Sequence, residues 1–145
     1  MTRSIHDNNV LGYSVDVAAK RLVVRTEFRH PDLPYERTDV RFEGVLGYLV
    51  HDSLGGILVD VYEVEFEQVL ARYADDFEWG AVHAWPFQAC DGDPAAFVAR
   101  AGAKSFLIAS SIGFDGFVVC EAMFVDALEG GEATAPPGAG APDIH

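Results

Sequence analysis

Lys104-Ser105-Phe106-Leu107-Ile108-Ala109-Ser110-Ser111-Ile112-Gly113-Phe114 and Phe117-Val118-Val119-Cys120-Glu121-Ala122-Met123-Phe124-Val125 flank the dipeptide Asp115-Gly116. Both flanks are rich in β-branched and aromatic residues, which suit pleated, half-buried positions. Asp-Gly is a strong hairpin signal, because a type I′ turn needs positive φ at both central positions. The stretch predicts two long strands, over 104–114 and 117–125, turning at Asp115-Gly116. A hairpin of this kind implies an antiparallel sheet.

Working back from that hairpin, Asp93-Pro94-Ala95-Ala96-Phe97-Val98-Ala99-Arg100-Ala101-Gly102 predicts a helix. Asp93 can cap it, Pro94 suits its first position, and Gly102 can take the left-handed conformation that stops it. Val82 to Trp85 predicts a short strand ending at Pro86. Phe66, Val69, Leu70, Tyr73 and Phe77 recur at helical spacing and predict a helix near residues 65–77.

Before that helix the period is two. Leu11, Tyr13, Val15 and Val17 alternate with Gly12, Ser14 and Asp16, and Leu22, Val24, Thr26 and Phe28 alternate with Arg21, Val23, Arg25 and Glu27. Two strands, hairpin-paired across Ala18-Ala19-Lys20, follow from this. His30 to Pro34 reads as a loop, and Val40 and Phe42 mark a third strand. Gly44 and Gly47 interrupt the apolar run Val45 to Val50, which predicts a bulged or bent strand. Asp52-Ser53-Leu54-Gly55-Gly56 reads as a turn, and Ile57 to Val64 as a fourth strand. The sum is an α+β fold: a curved, mostly antiparallel sheet of about six strands with two helices against it. The pattern leaves open whether the sheet closes in part into a barrel. The domain spans residues 1–128. Residues 129–145 form a Gly/Pro/Ala-rich tail (Gly130-Gly131, Pro136-Pro137-Gly138, Gly140, Pro142) that is expected to be flexible.

The chain has 145 residues, half of them hydrophobic. That is core material enough to fold without a metal or disulfide. Cys90 and Cys120 lie far apart with no CxxC pairing, the start lacks the apolar stretch of a signal peptide, and no apolar run is long enough to span a bilayer. A cytoplasmic protein with free thiols is expected. The net charge of −13 argues against direct binding to nucleic acid or to an anionic membrane, both of which need a cationic surface. Residues 1–44 are balanced, with seven basic and seven acidic side chains, so the whole excess lies after Gly44.

Chemistry-bearing motifs are sparse. Among His6, His30, His51, His83 and His145, two stand in His-Asp dipeptides, His6-Asp7 and His51-Asp52. Neighbours in a strand point to opposite faces, and further ligands at suitable spacing are missing, so no metal or other cofactor is expected. Cys90 with His83 could supply a nucleophile and a base, but Asp91 and Asp93 would raise the thiol pKa. Ser110-Ser111-Ile112-Gly113 does not match a nucleophile elbow, and Gly55-Gly56 fits no phosphate loop. Arg21, Arg25, Arg37 and Arg41 interleave with Glu27, Asp39 and Glu43, which predicts cross-strand ion pairs. A small hydrolase built from His51, Asp52, His83 and Cys90 is the alternative reading.

The leading reading rests on the segment Asp60–Glu78, where seven acidic residues face Arg72 alone. Glu63, Glu65 and Glu67 alternate with Val64 and Phe66 and would form a row on extended chain. With Asp75, Asp76, Glu78 and Trp79 they make a candidate surface for a basic protein partner: carboxylates to steer it and an aromatic anchor to hold it.

Phe106 to Val119, the block Gly55-Gly56-Ile57-Leu58-Val59-Asp60-Val61-Tyr62-Glu63-Val64 and the opening His6-Asp7-Asn8-Asn9 together resemble small bacterial α+β proteins of immunity-protein type. The likeness spans most of residues 6–125. It implies a small cytoplasmic protein similar in size and acidity to the immunity proteins of toxin systems. Its motifs are structural, and no catalytic residue carries over.

Overall fold

Alternation along one strand organises the molecule. In the computed structural model, strand β5 (Lys104–Cys120) turns Phe106, Ile108, Phe114, Val118 and Cys120 to one side and Leu107, Phe117 and Val119 to the other. All of these side chains are buried. Fully burying such a side chain contributes about 1.5–3 kcal/mol, so β5 anchors both sides of the fold. The structure describes residues 8–28, 31–32, 35–80, 87 and 93–128; for 52–59 and 111–112 the description is of backbone alone.

The other strands are β1 (Asn8–Asp16), β2 (Arg21–Phe28), β3 (Glu36–Glu43), β4 (Gly47–Val64) and β6 (Ala122–Leu128). The helices are α1 (Phe66–Arg72), α2 (Ala74–Gly80) and α3 (Pro94–Ala101). Antiparallel ladders link the strands in the order β5-β4-β1-β2-β3-β6. The class is α+β and the pairing antiparallel, as expected. Among the described residues the ladders do not close into a barrel.

One face of β5 meets Leu22 and Val24 of β2 and Val40 and Phe42 of β3, with Tyr13 and Val15 of β1 and Val125 of β6 beside them. The other face meets the helices through Phe66, Val69, Tyr73, Phe77 and Val98. Phe77 stacks on Phe117 at 5.4 Å between ring centroids, and Phe66 stands edge-on to Phe77 at 5.8 Å. The paired β4–β5 ladder is thus the middle layer, between the helices and the β1-β2-β3-β6 sheet.

Three expectations need correction. The chain does not turn at Asp115-Gly116; both residues lie inside β5, opposite His51 and Val50 of β4. A Cβ on Gly116 would stand 1.9 Å from the Leu49 carbonyl oxygen. Glycine serves close strand approach here, not a turn. The chain instead changes direction at Glu121, whose N–H donates to the Glu43 carbonyl at 3.0 Å as the chain passes to β6 beside β3. Gly44, at φ +66°, takes the left-handed backbone conformation beside the Glu121 side chain.

The turn expected at Asp52–Gly56 is likewise absent. β4 runs through it, and the register with β5 slips between Asp52 and Ile57, so the extra residues are absorbed as an irregularity in a long strand. Finally, the helix expected near 65–77 is two helices, so three helices are described where two were expected. Tyr73, at φ −116° and ψ 36°, ends α1, and α2 starts at Ala74. The apolar spacing continues across the break, which is why period alone could not reveal it.

The 94–101 helix forms as its caps dictate. The Ala96 N–H donates to Asp93 Oδ1 at 3.1 Å, and Gly102 is left-handed at φ +66°. The β1–β2 hairpin also forms, in register Val15↔Leu22 and Tyr13↔Val24. The expected strand at 82–85, the residues around Cys90 and the 129–145 tail lie outside the described residues.

Candidate functional site

The acidic residues singled out from sequence do not form one extended row. β4 ends at Val64, so Glu63 closes a strand, Glu65 caps α1 and Glu67 sits in its first turn. The Glu65 N–H donates to Gln68 Oε1 at 3.2 Å, and carboxylates in this first turn suit the positive end of the helix. All three glutamates are exposed. Part of the cluster therefore has a structural role at a helix N-terminus.

Asp75, Asp76, Glu78 and Trp79 lie on α2. Asp75 and Asp76 precede Trp79 by four and three positions, which puts all three on one side of the helix. Trp79 keeps 60% of its surface exposed, a large apolar area left in water beside carboxylates.

Where α1 meets α2 the surface folds in. Ala71, Arg72, Tyr73, Ala74, Asp75 and Asp76 from the helices, with His51 of β4 and Asp115 of β5, line a cleft of about 620 Å³. His51 and Asp115 are directly opposite in the β4–β5 ladder, and His51 Nδ1 stands 3.5 Å from Asp115 Oδ2. The Tyr73 hydroxyl donates to that same oxygen at 2.7 Å. The Tyr73 ring is fixed from below by Phe117 at 5.3 Å, His51 stands edge-on to it at 6.0 Å, and the Arg72 guanidinium lies 5.9 Å from its centroid. Asp115 is thus held at the cleft wall by a helix-terminal tyrosine and a cross-strand histidine.

Electrostatically the cleft is acidic. Asp75, Asp76 and Asp115 line it, with Arg72 as the fixed counter-charge. Burial, followed by the hydrogen bond to Asp115, pushes the Tyr73 hydroxyl up to about 12. Tyr73 is therefore a neutral donor at physiological pH, not a nucleophile or base. No known family, curated protein or solved structure matches this chain.

Sequence reasoning missed Asp115, because Asp-Gly reads as a hairpin turn until the ladder is seen. It also paired His51 with its neighbour Asp52, whereas the aspartate that His51 meets comes from β5. Of the hydrolase residues, His51 is in the cleft, while His83, Cys90 and the Asp52 side chain lie outside the described residues. Among the described residues no group of three or more His, Cys, Asp and Glu side chains could hold a metal ion. No helix among them is long and apolar enough to cross a membrane.

Proposed function

We propose that this chain is an acidic protein-binding domain that engages a basic protein through the α1–α2 corner. The observation that carries the reading is that Asp75, Asp76 and Asp115 line one cleft, with Trp79 exposed on the same helix as Asp75 and Asp76. A cleft walled by carboxylates takes a lysine or arginine side chain, and arginine pairs with a carboxylate in a bidentate fork. Holding Asp115 in place before binding lowers the ordering cost of association. The outlying Glu63, Glu65, Glu67 and Glu78 extend the negative field that steers a cationic partner, and Trp79 supplies apolar area at the contact. On this reading the protein acts in the cytoplasm as an immunity-type or regulatory partner of a cationic enzyme, such as a nuclease toxin.

A hydrolytic reading would rest on the His51–Asp115 pair. A nucleophilic mechanism needs an activated hydroxyl or thiol beside the base. The described lining of the cleft offers only the Tyr73 hydroxyl, which stays protonated. Binding is the better account.

The test is capture from the native host on immobilised protein at low salt, with wild type and an Asp75→Asn/Asp76→Asn variant. A cationic protein held by the wild type and largely lost by the variant is the expected result. Equal retention on both removes the cleft from the interface.

A further inference from the structure

We draw no further inference here: the strongest candidate, the patch on the outer face of β3 and β6 where the Arg41 guanidinium lies 4.4 Å from the centroid of the exposed Phe124 ring, carries nothing because nothing in the structure shows what covers it.

Discussion

A methyl group at position 116 has nowhere to go. Its carbon would sit 1.9 Å from the Leu49 carbonyl oxygen and 3.0 Å from the Val50 Cα, both backbone atoms of the paired strand. Gly116→Ala should therefore part β4 from β5 at the centre of the molecule and cost about 3 kcal/mol or more, measured by urea denaturation. A loss below about 1 kcal/mol would mean that the strands yield there. Tyr73→Phe removes a single hydroxyl and its bond to Asp115, with an expected loss of about 1 kcal/mol because Asp115 keeps some contact with water. The same variant has a pH signature. Burial and then Asp115 raise the Tyr73 hydroxyl from its ordinary value near 10 to about 12 in the folded state. Its contribution is full below pH 10 and lost as pH rises through 12. Melting between pH 9 and 12 should thus fall less steeply in Tyr73→Phe than in wild type. Some fall should remain, because burial also pushes the Cys120 thiol up to about 12. Identical slopes would show that the Tyr73 environment is not what the geometry implies. At this scale the sequence was legible wherever chemistry is local: Asp93, Pro94 and Gly102 set their helix through caps a few residues apart. It was misleading at Asp115-Gly116, because a glycine needed for close approach and a glycine needed for a turn are the same letter.

Among the elements, the outer face of β2, β3 and β6 behaves as the interleaved charges foretold. Arg21 and Arg41 both reach Glu43 Oε2 at 2.8 Å, and Arg41 Nε reaches Asp126 Oδ2 at 2.9 Å. The hydrogen bonds from Arg41 and then Arg21 hold the Glu43 carboxyl below the usual range. Glu43 thus adds stability above its ordinary value, lost as pH falls through its folded one. Asp39 runs the other way. It lies directly across the ladder from Asp126, and burial raises its carboxyl above the ordinary 3.8 even with Arg37 and Arg25 pulling it down. Its contribution is full below pH 3.8 and lost as pH rises through its raised folded value. Asp39→Asn should escape that loss, so its stability relative to wild type should be greater at pH 7 than at pH 3.5 in paired denaturation curves. A difference independent of pH would place the origin of the effect elsewhere. Strand periodicity revealed the faces of β2 and β3 but not the length of β4, because the Gly55-Gly56 signal was overridden by pairing with β5 on either side of it. The break between α1 and α2 was equally hidden, since Phe66, Tyr73 and Phe77 all still point inward.

For the whole molecule, charge is the property most legible in sequence. The −13 excess lies after Gly44, and the fold brings part of it to the α1–α2 corner. The candidate site was half visible. Asp75, Asp76 and Trp79 lie close together along the chain, whereas His51 and Asp115 join them only through the β4–β5 ladder, a pairing across more than sixty positions. If that corner is an interface for a basic protein, its charges act on encounter, because attraction reaching beyond the roughly 8–10 Å screening length is what salt removes. The decisive measurement is the association rate of the captured partner at low and at high salt, with wild type, Asp75→Asn/Asp76→Asn and Glu63→Gln/Glu65→Gln/Glu67→Gln proteins. The account predicts a wild-type rate that falls steeply with salt, both variants slower at low salt with a flatter dependence, and dissociation changed less because Trp79 still anchors the complex. Association at low salt that is equal in all three proteins would contradict it.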